Sequence, residues 1–213
     1  RLIDEGYEVV GVDNLSRAGT AFNKDLLIGQ PRFNHYHVDV ANIEALEKIF
    51  VDHGPFGAVF HLAAQVAVTL SYIDRVSDFE NNARASFNVV ECAKRHSPES
   101  FCLYASTNKV YGHISTAKPI GLEMPLDPYT PYGVSKAVGE MYFTEYGRPE
   151  IGLTTCSFRQ SCIYGHHQFG VEDQGWVAWF AIANLLDRGI SIYGDGKQVR
   201  DLLFVEDLVD LYL

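Results

Sequence analysis

A chain of 213 residues, 47% hydrophobic and 13% aromatic, is long and apolar enough to bury a substantial core, which excludes a disordered or low-complexity protein. Its 17 basic against 27 acidic residues give a net charge of -10, a poor match for a protein whose main partner is nucleic acid or an anionic membrane surface. No apolar run reaches the ~20 residues that span a bilayer, and Cys92, Cys102, Cys156 and Cys162 lack C-x-x-C spacing, so they read as reduced thiols of a cytoplasmic protein.

Residues 1–6 (RLIDEG) read as the tail of a helix leading into a strand at 7–12 (YEVVGV). Further strands are expected at 33–40 (FNHYHVDV), 58–62 (AVFHL), 101–105 (FCLYA) and 153–158 (LTTCSF). Between them, 43–53, 78–95 and 131–146 have the length and periodicity of helices. Short apolar runs alternating with helices predict parallel βαβ units, hence an α/β, doubly wound, Rossmann-type sheet. Such folds open with a strand, a glycine-rich turn and a helix, so the first βα unit is expected to be missing. After residue 160 the texture changes. An irregular stretch at 160–173 leads to a Trp-containing helix, a turn at Gly194 and Gly196, and a helix from 205 that has no stop signal. The expected organisation is a dinucleotide-binding domain over 1–159 and the beginning of a substrate-binding region over 160–213, together an internal piece of a larger protein.

Asp13 ends the first predicted strand, where an acidic side chain accepts hydrogen bonds from adenosine ribose hydroxyls and repels a 2'-phosphate, favouring NAD over NADP. Arg17 nearby keeps NADP open, and the plain alternative is a solvated Asp opening a turn. The glycine fingerprint belongs about twenty residues before the acidic group, upstream of Arg1. Asn14 follows Asp13. Asp39 closes the second predicted strand and could meet the adenine edge, beside Val40. His61-Leu62-Ala63-Ala64 closes the third, where small residues let backbone approach a dinucleotide, and Gln65 follows. Each of these, taken singly, also fits ordinary strand-end packing.

The sharper signal is Tyr132-Gly-Val-Ser-Lys136, because residues four apart share a helix face and bring a phenol beside an ammonium. An ammonium and an oxidised nicotinamide both stabilise phenolate, which predicts a lowered Tyr132 pKa and a base able to take a proton from an alcohol. Lys136 would also hold the nicotinamide ribose. Upstream, Ala105-Ser-Thr-Asn-Lys-Val-Tyr-Gly112 follows a buried strand and puts Thr107 at a strand's carboxyl end, where doubly wound folds gather ligands.

Asp13, HLAA, STNKVYG, YGVSK and GDGKQVRD occur in that order, and the chain over essentially its whole length resembles the extended short-chain dehydrogenase/reductase family. The resemblance implies that Thr107, Tyr132 and Lys136 are the catalytic set and that Asn82, in Asn81-Asn82-Ala-Arg-Ala, supports the cofactor, although Ala85 stands where a glycine is usual. It also implies bound NAD, a nucleotide-sugar substrate, a homo-oligomer, and no nucleic-acid or membrane partner.

Family members that dehydrate sugars carry Asp-Glu directly after the catalytic threonine, and here those positions are Asn108 and Lys109. Elimination of water lacks its usual acid and base, which leaves epimerisation or simple redox chemistry. The segments STNKVYG, YGHHQFGVEDQGWVAWF and GDGKQVRD are most similar to family members that epimerise a nucleotide-linked sugar at C2. That similarity implies a substrate pocket drawing on Thr107, Asn108, Lys109, Gln168 and Gln174, with Trp176 nearby and Arg200 on the diphosphate, although His167 stands where arginine is more frequent and Cys162 replaces a polar residue. The alternative for Arg200 is a surface ion pair with Asp201. His166 and His167 have no Cys or carboxylate partners in sequence and read as a polar loop, so no metal is assigned. Two other functions compete: a UDP-sugar 4-epimerase or nucleotide-sugar reductase of the same family, and a non-catalytic dinucleotide-binding sensor or scaffold.

Overall fold

Each predicted apolar run forms a strand, and the computed structural model describes them within residues 1–114 and 118–213. In chain order the elements are β1 (Val9–Asp13), α1 (Thr20–Leu27), β2 (Phe33–His37), α2 (Ile43–His53), β3 (Ala58–His61), α3 (Val68–Ile73) and α4 (Arg75–Phe79). A π-helical turn at Glu80–Arg84 leads into α5 (Ala85–His96), then β4 (Phe101–Thr107) and a 3-10 turn at Asn108–Tyr111. The chain continues through α6 (Pro131–Tyr146), β5 (Thr154–Gln160), β6 (Cys162–Tyr164), α7 (Trp176–Leu185), β7 (Leu202–Phe204) and α8 (Val205–Tyr212).

Every strand pairing among the described residues is parallel, as the alternation of strands and helices requires. β1 pairs with β2, from Val9↔Phe33 to Asp13↔His37. β4 lies between β3 and β5 and is the most buried strand, with Cys102, Leu103 and Tyr104 fully enclosed. β6 and β7 form a third ladder.

The helices form where their caps and apolar stripes dictate. Asn42 caps α2 by accepting from Ala45 N at 3.1 Å, and the helix buries Leu46, Ile49 and Phe50. α5 ends on Lys94, Arg95 and His96, which complement the negative end of its dipole, and buries Val89, Val90, Cys92 and Ala93. In α6, Thr130 accepts from Gly133 N at 2.9 Å and Pro131 fills the first turn, where no backbone N–H is missed. The main core joins Leu46, Phe50, Val90, Cys102, Tyr104, Phe143 and Leu153 from α2, α5, β4, α6 and the approach to β5. Gly139 lets α6 close on that core, since a Cβ there would lie 2.6 Å from Ser86 Oγ.

Several expectations shift. Residues 1–6 form a hydrogen-bonded turn, with Glu5 N to Arg1 O at 3.0 Å, rather than a helix. The predicted helix 78–95 is divided, and its π-helical turn brings Asn82 and Ala83 into buried positions. β2 stops at His37, because its partner β1 ends at Asp13, so Asp39 and Val40 lie in the following loop. The stretch 160–173 is not wholly irregular, since Cys162–Tyr164 finds a partner in the distant Leu202–Phe204. Helices α1 and α3 were not legible from apolar periodicity: neither buries an apolar side chain.

Candidate functional site

The carboxyl ends of β1, β3 and β4 place Asp13, His61 and Thr107 along one side of the sheets, the side where doubly wound folds bind ligands. A cleft of about 590 Å³ opens beside Asp13, without His61, Thr107, Tyr132 or Lys136 in its lining, and is lined by Asp13, Asn14, Asp39, Val40, Leu62, Ala63, Ala64 and Gln65. All eight were expected at the cofactor. Asp13 fixes its own loop by accepting from Leu15 N at 2.5 Å, and Asn14 Nδ2 donates to Asp39 Oδ2 at 3.0 Å, so the two acidic strand-end positions are held by one bridge. Arg17 also lines the cleft. The cleft volume lies in the range of small-molecule and cofactor sites. Its acidic residues, small side chains and backbone fit the adenosine half of a dinucleotide.

Asn82 does not line this cleft. It is 1% exposed and accepts from Gln65 N at 2.9 Å while donating to Ser135 Oγ at 3.0 Å. It therefore holds the backbone of Gln65, which lines the cleft.

At the reacting end, Tyr132 and Lys136 occupy the first turns of α6, and Thr107 ends β4. The Thr107 hydroxyl accepts from Lys109 N at 3.3 Å and lies close enough to the Tyr132 phenol to draw its pKa down. All three side chains are buried. Lys136 Nζ lies 4.3 Å from the centroid of the Tyr104 ring, and Tyr104 OH donates to Lys136 O at 3.1 Å. Burial pulls Lys136 down from its ordinary 10.5 to about 7, against the opposing pull of the Asp78 and Glu140 carboxylates. Tyr132 departs from expectation: burial pushes its phenol up, the Thr107 hydroxyl pulls it down, and the Asp78 charge pushes it up again. Lys136 exerts no resolved pull on it, so sharing a helix face does not by itself lower the phenol.

Three residues absent from the sequence reading, Glu140, Arg159 and Asp78, buttress this end. Glu140, one helical turn after Lys136, accepts Ser106 Oγ at 2.6 Å and Arg159 Nη2 at 2.6 Å. Arg159 in turn donates to Tyr111 OH at 2.9 Å. That network clamps the Ser106–Tyr111 segment around Thr107, and the i+4 spacing of Glu140 from Lys136 was a visible signal for it. Asp78 and Ser135 form the other buttress, with Ser135 Oγ donating to Asp78 Oδ2 at 2.6 Å.

The expected substrate residues are not gathered into one place. Asn108 Nδ2 donates to Ser161 Oγ at 3.3 Å. Lys109 is exposed, and its pKa is lowered first by desolvation of its ammonium and then by the Arg200 charge. Arg200 is exposed, donates to Val199 O at 2.9 Å, and forms no ion pair with Asp201. Among the described residues Lys109 and Arg200 are thus two neighbouring cations without a carboxylate partner. Gln168 donates to Ile163 O at 3.1 Å, and its buried Oε1 has no partner. Gln174 lines the cofactor-side cleft instead, together with Phe169. Trp176 packs edge-on against Phe180 within α7, at 5.5 Å between centroids. Phe169 was missed by the sequence reading. It lies against Phe22 of α1 at 5.8 Å, while Asn23 Nδ2 donates to His167 O at 3.0 Å, so the 166–175 loop reaches the cofactor side. Among the described residues, no cluster of three His, Cys, Asp or Glu is placed to hold a metal ion, and no helix is long and apolar enough to cross a membrane. The four cysteines carry free thiols.

The model of the NAD dependent epimerase/dehydratase family matches residues 1–213. The chain is 36% identical to a CDP-paratose 2-epimerase of Salmonella typhi, over 99% of this chain and 68% of that protein. It superposes on a UDP-glucose 4-epimerase of Thermotoga maritima solved with UDP-glucose, with TM-score 0.85 and 32% identity over 98% of this chain and 65% of the other. A Thermus thermophilus UDP-glucose 4-epimerase in complex with NAD gives TM-score 0.85 and 30% identity, over 99% and 67%. The chain spans about two thirds of the length of these relatives.

Proposed function

The chain belongs to the NAD dependent epimerase/dehydratase family, and on that premise we propose that the complete protein is a nucleotide-sugar epimerase, with CDP-paratose 2-epimerisation its specific reaction. The observation that carries the reading is the shared burial of Thr107 at the end of β4 with Tyr132 and Lys136 on the first turns of α6, Thr107 being close enough to act on the Tyr132 phenol. Bound NAD would take a hydride from the sugar carbinol carbon and return it to the opposite face. Tyr132 removes the hydroxyl proton, Thr107 donates to the same sugar oxygen, and Lys136 supplies positive charge and holds the ribose. On re-reduction Tyr132 returns the proton. The reaction has no net redox change, so the cofactor stays bound between turnovers.

Asn108 and Lys109 support epimerisation over dehydration, since neither supplies the carboxyl groups that elimination uses. The unpaired cations Lys109 and Arg200 support an anionic diphosphate on that side. In this reading residues 1–159 hold the cofactor and 160–213 begin the nucleotide-sugar region, with Gln168 offering its unpartnered carbonyl oxygen there. The 36% identity to a CDP-paratose 2-epimerase supports the C2 reaction, while the likeness to UDP-glucose 4-epimerases favours C4 as the second reading. A cytoplasmic homo-oligomer belongs to the same proposal. Exposed Val76, Phe79, Val134 and Met141 on α4 and α6 support self-association.

The test is to incubate the complete protein with CDP-, UDP-, GDP- and dTDP-sugars without added cofactor and to follow epimers by NMR. A C2 epimer of a CDP-sugar is expected. Product that accumulates only with added reduced cofactor would make the protein a reductase.

A further inference from the structure

We propose that Asp78 is a positioning residue, tying the turn of α6 that carries Tyr132 and Lys136 to the Gln65 loop of the cofactor cleft and giving Lys136 its counter-charge. The inference rests on the reading of Tyr132 and Lys136 as the proton-handling pair.

Asp78 is 1% exposed, and every hydrogen bond it receives comes from a donor on another part of the site. Its Oδ1 accepts Gln65 Nε2 at 2.8 Å and Asn82 Nδ2 at 3.2 Å, and its Oδ2 accepts Ser135 Oγ at 2.6 Å. Ser135 lies between Tyr132 and Lys136 and also donates to Tyr132 O at 3.0 Å. Gln65 lines the cofactor cleft and is itself fixed, with Nε2 donating to Ala67 O at 3.0 Å and Oε1 accepting from Ala67 N. One carboxylate therefore joins the cleft wall, the π-helical turn and the catalytic turn.

Charge balance gives it a second role. Lys136 is 3% exposed, and an ammonium so deeply buried needs a counter-charge. Glu140 is already engaged by Arg159, through Nε at 2.9 Å and Nη2 at 2.6 Å. His61 on β3 is driven down to about 3 by burial and the Lys136 charge, so it stays neutral. Tyr104 on β4 and Tyr132 are phenols pushed up by burial. Arg75 on α4 is exposed and lines an outer cleft with Asp78. Among the described residues Asp78 is the other carboxylate that acts on Lys136, through space rather than as an ion pair, and it pulls the ammonium up more than Glu140 does.

The same charge holds the Tyr132 phenol up. Removing it moves both titrations in one direction, to lower pH, whereas loss of packing alone hydrates the pair and moves them in opposite directions, Lys136 up and Tyr132 down.

The test uses the complete protein with bound NAD, labelled with ¹³C at lysine Cε, the Lys136 signal being assigned by its absence in Lys136→Met. Asp78→Asn keeps the side-chain shape and removes the charge. Its Lys136 midpoint is expected about one pH unit or more below that of the unmodified protein, and both limbs of the pH–rate profile are expected to move to lower pH. An unmoved midpoint in folded Asp78→Asn overturns the proposal. Should that variant not fold, Asp78→Glu decides: the charge is kept, so midpoint and limbs must stay in place while kcat falls, and a shifted midpoint overturns the proposal. The two readings fail separately. A shifted midpoint in a protein that turns over no nucleotide sugar sinks the proposed function and leaves the Asp78–Lys136 link standing. Turnover with an unmoved midpoint does the reverse.

Discussion

Lys136 Nζ stands 4.3 Å from the centre of the Tyr104 ring, in cation–π range, and both residues are buried. The ring holds the ammonium on one side and the Tyr104 hydroxyl holds the Lys136 carbonyl, at 3.1 Å. Tyr104→Phe keeps the ring and loses that hydrogen bond, so it is expected to cost about 1 kcal/mol in chemical denaturation with turnover largely kept. Tyr104→Leu loses the aromatic face as well and is expected to cut kcat much further. Equal turnover in the two variants would count against a role for the ring.

Because folded Lys136 gives up its proton near pH 7 while an unfolded lysine keeps it to 10.5, the unfolded chain binds more protons across that window. Folding stability from this group therefore rises as pH climbs from about 7 to 10.5. His61, held near 3 against an ordinary 6.5, acts likewise at lower pH: its contribution to stability is complete above 6.5 and is lost as pH falls toward 3. Urea midpoints measured against pH are expected to show both rises. Lys136→Met is expected to flatten the upper one and His61→Phe the lower one.

Thr107 is the group in the chain that lowers the Tyr132 phenol. Thr107→Val is expected to reduce kcat by about 10²-fold and Tyr132→Phe by more, with circular dichroism unchanged. A folded Tyr132→Phe protein that keeps full function would establish the non-catalytic sensor or scaffold.

Arg200 and Lys109 are neighbouring cations without carboxylate partners among the described residues. Arg200→Ala is expected to raise KM for a nucleotide diphosphate sugar by about tenfold or more, as loss of a charge-assisted hydrogen bond does, with little effect on kcat. Isothermal titration with the free nucleoside diphosphate checks this directly, and unchanged affinity would remove Arg200 from the site.

Glu140 is buried between Ser106 and Arg159. Glu140→Gln leaves the Arg159 charge without its partner and is expected to destabilise the fold by about 3 kcal/mol or more, seen as a lowered thermal midpoint. A midpoint within error of the unmodified protein would show that Arg159 finds other compensation.

The order of strands and helices was legible because parallel sheets, covered on both faces, write continuous apolar runs such as FCLYA and LTTCSF. The Tyr132–Lys136 turn was legible because local helix geometry ties the two residues. β6 and β7 were hidden, since each has three residues and finds its partner only across a long stretch of chain. α1 was hidden because it buries no apolar face.

Which groups could react can be read along the chain, since residue type and helix spacing depend on nothing distant. Their electrostatics arise from packing. Burial pushes the Tyr132 phenol up and brings Lys136 down to about 7, and Asp78, distant in sequence, lies close enough to act on both. Tertiary packing also moved Gln174 to the cofactor side. Desolvation and charge act through space, and the distances that set them exist only once α4, β4 and α6 have packed.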